Sequence, residues 1–139
     1  MRIYIGTDHA GFEMKEDLKE YLSDLGHDVI DQGAYELNPT DDYPDFVALV
    51  AEGVVDASVE VREDVFGIVL GGTGTGEAIE ANRLLGVRTA VYYGGPKEII
   101  TLSREHNDAN VLSLGARFIS LAEAKEAVKL FLETPFSGE

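Results

Sequence analysis

Two hydrophobic periods alternate along this chain, and together they predict its elements. Short apolar runs bounded by turn residues are typical of strands, and apolar residues at every third or fourth position are typical of helices. The apolar runs predict strands at Arg2–Gly6, His27–Asp31, Val65–Leu70, Val87–Tyr93 and Val111–Gly115. The helical spacing predicts helices at Phe12–Leu25, Tyr43–Ala57, Glu77–Leu84, Lys97–Arg104 and Leu121–Leu132.

The alternation of strands and helices favours a single α/β domain over residues 1–139. We expect a three-layer αβα sandwich around a five-stranded parallel sheet, Rossmann-like or flavodoxin-like. In such sheets, ligands bind beyond the carboxyl ends of the strands. The loops expected to carry function are therefore Thr7–Gly11, Gly33–Asp42, Gly71–Gly76, Gly94–Pro96 and Ala116–Ser120.

Composition narrows the classes of function. The 139 residues include 11 Lys and Arg against 26 Asp and Glu, which gives a formal net charge of −15. This balance argues against binding of nucleic acid or of an anionic membrane surface, because phosphates require clustered cations. The chain has no cysteine, and its three histidines lack the spacing of metal ligands. No apolar run approaches the ~18 residues of a membrane span, so we expect a cytoplasmic protein.

The segment LGGTGTGEAIEAN, from Leu70 to Asn82, follows a continuous apolar run. A dinucleotide-binding loop would follow the first strand and would have a glycine where Glu77 stands. A Walker loop would need a lysine, which this segment lacks. Two interpretations remain. The segment is a plain strand-to-helix turn that uses glycines for positive φ, or its backbone N–H groups form a cradle for an anion.

Two acidic residues at these loops each have a structural and a functional interpretation. Glu77 either is favoured by the helix dipole in the first turn of a helix, or acts as a general base that removes a proton from carbon. In the second case, the dipole would also keep its carboxylate ionised. Asp8 follows the first strand, where it either caps the next helix or contacts a ligand.

Further polar residues stand near the ends of predicted elements. His106 and Asn107 follow the fourth helix, where a histidine is commonly stabilised by the helix dipole alone. Arg117 follows the fifth strand, within reach of an anion at the glycine loop. Tyr43 either starts a helix or forms a wall of a pocket.

Five segments carry a resemblance to a known family: GTDHAGFEMK, DDYP, GGTGTGEAIEANR, SREHNDANVLSLGAR and FLETPF. In this order, and over nearly the whole chain, they resemble the B-type ribose-5-phosphate isomerases, a family that also holds the galactose-6-phosphate isomerase subunits. The resemblance implies aldose–ketose isomerisation of a phosphorylated sugar through an enediolate, without metal or cofactor. It also implies a homodimer, or a dimer of dimers, with shared active sites; the composition already argues against nucleic acid and membrane as partners.

The resemblance assigns the catalytic base to one of two positions. In one branch of the family the base is a cysteine at the position of Gly71. This sequence resembles the other branch, in which a glutamate at the position of Glu77 is the base. A carboxylate is ionised at neutral pH without help, whereas a thiol needs a lowered pKa.

The same resemblance assigns substrate contacts to residues of four loops. It implies that His106 opens the sugar ring. The residues that would hold the developing enediolate oxygens, as an oxyanion hole does, are Thr73 and the backbone of Gly72, Gly74 and Gly76. The residues that would hold sugar hydroxyls are Asp8, Tyr43 and Asn107. The residues that would meet the phosphate are His9 and Arg117.

We therefore expect an isomerase of ribose 5-phosphate and ribulose 5-phosphate. The alternatives are an isomerase of allose 6-phosphate or galactose 6-phosphate, a non-catalytic phosphosugar-binding module, and a nicotinamide oxidoreductase, which would bind a dinucleotide. Thr75 stands where the family usually has Asn or another residue, a departure whose effect on substrate choice the sequence leaves open. The sequence ends at Glu139, where family members continue with a His/Arg-rich tail whose arginines bind phosphate; that tail is absent or was cut.

Topology adds one expectation about assembly. Glu77 follows a strand, whereas His106 precedes one, so the two should lie at opposite edges of the sheet, roughly 17 Å apart. A two-fold dimer can bring the His106 edge of one chain to the glycine loop of the other. We expect two shared sites, each with Glu77 from one chain and His106 from its partner.

Overall fold

The computed structural model describes residues 1–39, 43–60 and 64–138, and for Tyr43 and Pro44 it describes the backbone alone. Within these residues, five strands form one parallel sheet. The strands are β1 (Arg2–Thr7), β2 (Asp28–Asp31), β3 (Val65–Gly71), β4 (Thr89–Tyr92) and β5 (Val111–Gly115). All seven residues of β3 are buried, as its continuous apolar run predicts for a strand covered on both faces.

Five α-helices connect and follow the strands in the described part of the chain. They are α1 (Phe12–Asp24), α2 (Tyr43–Glu60), α3 (Thr75–Ala81), α4 (Glu98–Glu105) and α5 (Leu121–Glu133). A single turn of 3₁₀ helix, His9–Gly11, precedes α1. None of the described helices combines the length and the hydropathy needed to cross a bilayer.

Helices cover both faces of the sheet and form two separate apolar clusters. On one face, α1, α4 and α5 pack through side chains such as Leu18, Ile100 and Phe131 against the strands. On the other face, α2 and α3 pack through side chains such as Val50 and Ala81. The two clusters confirm the predicted three-layer αβα sandwich.

The strand order is β2-β1-β3-β5-β4. It differs from the flavodoxin order 2-1-3-4-5 by an exchange of the last two strands. As a result, β5 lies beside β3 and pairs Gly71 with Gly115, while β3 also pairs Leu70 with Thr7 of β1. The ends of β1, β3 and β5 therefore lie side by side at one edge of the sheet.

The predicted elements all occur, and their ends shift by a few residues. Strand β4 is shorter than predicted because the N–H groups of Arg88 and Thr89 donate to the side chains of Asn110 and Asn82, both at 2.8 Å. Helix α3 begins two residues before Glu77 because the left-handed Gly74, at φ 82°, already turns the chain into the helix.

Candidate active site

Three loops converge at the carboxyl edge of the sheet. Asp8 follows β1, the glycine loop Gly72–Gly74 follows β3, and Arg117 follows β5 by two residues. The loops are joined by backbone bonds: the N–H groups of Ala116 and Arg117 donate to the carbonyl oxygens of Gly71 and Gly72, at 2.8 and 3.1 Å. The structure thus brings together the residues that the sequence placed after alternate strands.

Glu77 is buried at the centre of this edge. It lies in the first turn of α3, and only 4% of its surface is exposed. Its carboxylate occupies the space beside the Cα of Gly71, where a Cβ would lie 1.3 Å from Oε1 and 2.7 Å from Oε2. A carboxylate in this position is screened from water and is held at the end of the central strand.

The surroundings of Glu77 change its acidity. Burial raises the pKa of the Glu77 carboxyl; a hydrogen bond from its own backbone N–H lowers it, and the negative charge of Asp8 raises it further, so that the pKa lies above its ordinary value. The sequence analysis expected the helix dipole to keep this group ionised. The hydrogen bond from the start of the helix acts in that direction, but desolvation and the charge of Asp8 outweigh it, so the net shift of the Glu77 pKa is upward.

Asp8 has the capping contact that was one of its two predicted interpretations. Its Oδ1 accepts a hydrogen bond from the N–H of Ala10 at 2.9 Å and so caps the 3₁₀ turn. Asp8 is also 8% exposed and close enough to Glu77 to raise its pKa. The next residue, His9, is half-buried in the same turn. Two carboxyl groups therefore share the floor of the site.

The glycine loop is shaped by contacts that exclude side chains. The carbonyl oxygen of Thr73 lies so close to β5 that a Cβ on Gly115 would approach it to 2.5 Å. Buried Ser113 donates from its hydroxyl to the carbonyl oxygen of Gly74 at 2.6 Å. The Thr73 Oγ1 accepts from the N–H of Thr75 at 3.1 Å, and both threonines remain exposed. The loop therefore places the exposed Thr73 side chain on a rigid support.

Arg117 lies over this loop. A Cβ on Gly72 would come within 3.1 Å of its Cζ and Nε, so the guanidinium packs directly on the Gly72 backbone. The side chain is exposed, and it forms no ion pair with a carboxylate among the described residues. Its place beyond β5 and beside the glycine loop is the one that the sequence indicated.

An exposed aromatic pair borders the loop on its other side. The rings of Tyr93 and Phe118 meet edge to face with centroids 6.3 Å apart. Together with Thr73 and Thr75 they line a shallow depression. The sequence analysis did not single out these aromatic residues. The only signal in the sequence was that Tyr93 ends a predicted strand and that Phe118 lies in a loop that follows one.

His106 and Asn107 lie elsewhere. They follow α4 and precede β5, so they stand at the amino edge of the sheet, and both are exposed. Glu77 lies beyond the carboxyl end of β3, which runs parallel to β5. The predicted separation of His106 from Glu77 within one chain is thus confirmed.

Some predicted site features lie outside the described residues. The side chain of Tyr43 is one of them; the backbone of Tyr43 starts α2 as predicted. The preceding pair Asp41–Asp42 also lies outside the described residues.

Two functional features were missed by the sequence analysis. Ser113 supports the glycine loop, and its signal was a single hydroxyl in an otherwise apolar strand. Lys15 is fully buried and donates to Asp31 Oδ1 at 2.9 Å, which ties α1 to the end of β2. The sequence offered one sign of this role, namely that a lysine stands among the apolar positions of the predicted helix. In the part of the chain that the structure describes, no group of three or more His, Asp or Glu is arranged to hold a metal ion.

Comparisons with known proteins agree with this geometry. The model of the Ribose/Galactose Isomerase family matches residues 3–139. Ribose-5-phosphate isomerase B from Mycolicibacterium paratuberculosis is 43% identical over 99% of this chain and 82% of its own length. The corresponding protein from Mycobacterium tuberculosis is 41% identical over 99% of this chain and 80% of its own length.

Solved structures show the same fold. Ribose-5-phosphate isomerase B from Mycoplasma genitalium, with bound ribulose-5-phosphate, superposes with a TM-score of 0.91 at 36% identity, over 99% of this chain and 87% of that one. The enzyme from Clostridium thermocellum superposes with a TM-score of 0.89 at 42% identity, over 100% of this chain and 88% of that one. This chain therefore belongs to the ribose/galactose isomerase family, among the B-type ribose-5-phosphate isomerases.

Proposed function

We propose that this protein interconverts ribose 5-phosphate and ribulose 5-phosphate through an enediolate, with Glu77 as the base. The observation that carries the proposal is the buried Glu77 carboxylate, seated against Gly71 beside Asp8 at the carboxyl edge of the sheet. The similar enzymes named for this reaction, and the ribulose-5-phosphate bound to one of them, support the choice of substrate.

The chemistry requires one carboxylate that removes and returns a proton. Glu77 takes the proton from C2 of the open-chain aldose, and the electron pair moves through C1 onto the carbonyl oxygen. The resulting enediolate regains a proton from Glu77 at C1, while the hydroxyl proton on O2 is passed to O1. A raised pKa suits both halves of this cycle, because it makes the carboxylate a stronger base and keeps the proton available for return.

The enediolate oxygens would be held by the glycine loop. The Thr73 hydroxyl and the backbone N–H groups of Gly72, Gly74 and Gly76 are the donors that we assign to them. The contacts to Ser113 and Gly115 support this assignment, since donors on a rigid loop need no reorganisation when charge develops.

The phosphate and the sugar hydroxyls would be held around this centre. Arg117 and His9 are our candidates for the phosphate, and the packing of Arg117 on Gly72 supports its part. Asp8, Tyr43 and Asn107 are assigned to hydroxyl groups. No step of this scheme needs a metal ion, and dialysis against a chelator should leave kcat unchanged.

Ring opening would require a second chain. We assign it to His106, which lies at the edge of the sheet opposite Glu77. In a two-fold dimer, the exposed His106 and Asn107 of one chain could reach the glycine loop of its partner. The proposed enzyme is therefore a homodimer with two shared sites.

The test combines substrate choice with proton exchange. The purified protein is assayed with ribose 5-phosphate, allose 6-phosphate and galactose 6-phosphate, and exchange of the transferred proton with deuterated water is followed by NMR. We expect turnover and exchange with ribose 5-phosphate. Glu77→Gln keeps the side-chain size but removes the base, so kcat should fall by about a hundredfold or more with KM little changed.

Glu80→Gln is the matched control, because Glu80 lies one turn further along α3 and pairs with Arg83 at 3.5 Å. Its kcat should equal that of the unmodified protein. Near-normal turnover of Glu77→Gln would return Glu77 to a capping role. Faster turnover of allose 6-phosphate or galactose 6-phosphate would mean that the substrate is a hexose phosphate. Binding of a sugar phosphate without proton exchange would identify a non-catalytic binding module.

A further inference from the structure

The turn that carries His106 has an unusual backbone. His106 caps α4, and two residues later Asp108 adopts φ 48°, the one positive φ of a non-glycine residue in the described ranges. The N–H groups of Asp108 and Ala109 donate back to the carbonyl oxygens of Arg104 and Ser103, at 3.3 and 3.0 Å. This geometry leaves the His106 side chain exposed to solvent.

Two arginines hold Asp108 from opposite sides. Arg104 Nη1 donates to Oδ1 at 3.1 Å, and Arg88 Nη2 lies 3.5 Å from Oδ2. Arg88 Nε also donates to the backbone carbonyl of Asp108 at 2.7 Å. Both the side chain and the backbone of this left-handed residue are thereby fixed.

Arg104 is itself anchored in the core. It is 6% exposed, and its Cζ lies 4.9 Å from the ring centroid of Phe66 and 5.8 Å from that of Phe131. Its Nε donates to the carbonyl oxygen of Thr134 at 3.0 Å. A planar guanidinium held on this many sides is a rigid support for a carboxylate.

The residue on the other side of His106 is held as well. Ser137 donates to the carbonyl oxygen of Glu105 from its N–H at 3.1 Å and from its hydroxyl at 2.6 Å. The backbone is therefore tied down immediately before His106 and two residues after it. These contacts fix the backbone on both sides of His106. They therefore restrict the direction of the imidazole, although none of them is made by the imidazole itself.

We propose that Asp108, clamped between Arg88 and Arg104, is a positioning residue that aims His106 and thereby controls ring opening. The inference rests on the proposed function, in which His106 opens the sugar ring. Asp108 acts through His106 and not on the substrate. Its loss should therefore slow only the reaction that includes ring opening.

The two substrates separate these steps. Ribose 5-phosphate closes to a furanose through its C4 hydroxyl and must be opened before isomerisation. Ribulose 5-phosphate has its C5 oxygen esterified and stays open-chain. Exchange of its C1 proton with deuterated water therefore reports the chemistry at Glu77 without ring opening.

The test variant is Asp108→Asn. Asparagine also tolerates the left-handed conformation, so the substitution removes the charge and keeps the turn. We expect kcat/KM for ribose 5-phosphate to fall about tenfold, because a reacting group misplaced by up to 1 Å costs between a few-fold and a hundredfold. Exchange at C1 of ribulose 5-phosphate should stay within about twofold of the unmodified rate. The melting temperature of Asp108→Asn is compared with that of the unmodified protein, which shows that the variant is folded at the assay temperature.

Two further variants make the result decisive. In a His106→Ala background, Asp108→Asn should cause no additional loss with ribose 5-phosphate, because its effect passes through the missing imidazole. Glu126→Gln breaks the ion pair between Lys97, which precedes α4, and Glu126 of α5. This pair lies at the other end of α4 from the turn, so the variant should change neither reaction.

Equal losses in both reactions, additive losses in the double variant, or no loss at all with ribose 5-phosphate would overturn the positioning role. Failure of the proposed function looks different, because the unmodified protein would then neither isomerise nor exchange either substrate. If His106→Ala were fully active with ribose 5-phosphate, His106 would not open the ring and the inference would fall with it, while Glu77 would keep its role.

Discussion

Glu77 and Gly71 share one space at the end of β3. A Cβ on Gly71 would lie 1.3 Å from Glu77 Oε1 and 2.1 Å from Cδ, so the present carboxylate position requires a bare glycine there. This gives a physical reason for the two branches implied by the family resemblance. A cysteine at position 71 and a carboxylate from position 77 would compete for the same volume, and each reaches the same point of the site.

Gly71→Ala tests this complementarity. The flexible Glu77 side chain should swing away from the new methyl group, so the fold should persist while the base moves by more than 1 Å. We expect kcat to fall about a hundredfold, the usual cost of such a misplacement. Steady-state kinetics measures the loss, and a Tm within a few degrees of the unmodified protein shows that the fold is retained.

Gly72→Ala is the neighbouring control. The three atoms nearest to its Cβ would all belong to the Arg117 guanidinium group, at 3.1 to 3.2 Å, rather than to Glu77. Its main effect should be on KM, through the phosphate contact that we propose for Arg117. A Gly71→Ala enzyme with normal kcat would show that the carboxylate does not act from this position.

The raised pKa of Glu77 also has a consequence for stability. Its folded-state pKa lies above the ordinary value near 4.5, so the folded state binds the proton more tightly than the unfolded chain does. At a pH below the ordinary pKa, the Glu77 carboxyl is protonated in both the folded and the unfolded protein, so it costs no folding stability. As pH rises through the ordinary and then the folded pKa, ionisation of the buried carboxyl costs stability.

Glu77→Gln removes this cost. We expect its Tm to exceed that of the unmodified protein at pH 7, and the gap to shrink as pH falls towards 4, where both side chains are neutral. Thermal melts at several pH values measure the difference. A gap that widened on acidification would mean that the folded-state pKa is lowered instead.

At the scale of elements, the sequence predicted what forms but not which strands become neighbours. The hydrophobic periodicity and the turn residues predicted every strand and helix, because the pattern of apolar residues shows whether an element is buried on one face or on two. The exchange of β4 and β5 is invisible to that pattern, since both are short apolar runs. Yet this exchange puts Gly115 against Thr73 and gives the glycine loop its support from β5.

Ser113 is the side chain that makes this support specific. Its fully buried hydroxyl donates to the Gly74 carbonyl at 2.6 Å, and Ser113→Ala would leave that acceptor with only its helical bond from Ala78. We expect a loss of about 1 kcal/mol in unfolding free energy, the usual contribution of one hydrogen bond. Because the loop would also loosen, kcat should fall several-fold.

Ser103→Ala provides the comparison within the same chain. Ser103 is also buried and donates from its hydroxyl to a backbone carbonyl, that of Ile100, at 2.7 Å. It should lose similar stability in denaturant unfolding and keep its kcat. Equal kcat for the two variants would mean that the β5 contact does not hold the loop in its working shape.

At the scale of the whole molecule, the candidate residues divide between two edges of the sheet. The sequence predicted this division from order alone, because residues after parallel strands and residues before them lie at opposite ends. The contacts between copies of the chain cannot be predicted in this way, because the order of the elements and the side-chain chemistry do not specify which surfaces meet. The exposed Tyr93 and Phe118 beside the loop, and the exposed His106, are surfaces that a partner chain could cover.

Mixing two inactive variants tests whether the site is shared. Glu77→Gln and His106→Ala chains are unfolded, combined in equal amounts and refolded, so that about half of the dimers are mixed by random pairing. In a shared-site dimer, one site of each mixed pair collects both substitutions and the other collects neither. About a quarter of the unmodified activity should therefore return.

In the control, a Glu77→Gln/His106→Ala double variant replaces the His106→Ala chain. No dimer in this mixture contains Glu77, so the mixture should stay inactive. If Glu77 and His106 of each site came from one chain, every site in every mixed dimer would carry one of the two substitutions. Activity would then remain at the level of the parents, whatever the efficiency of pairing. Recovery in the first mixture and none in the second requires that the imidazole of one chain serve the carboxylate of another, which is what we infer from their places at opposite edges of the sheet.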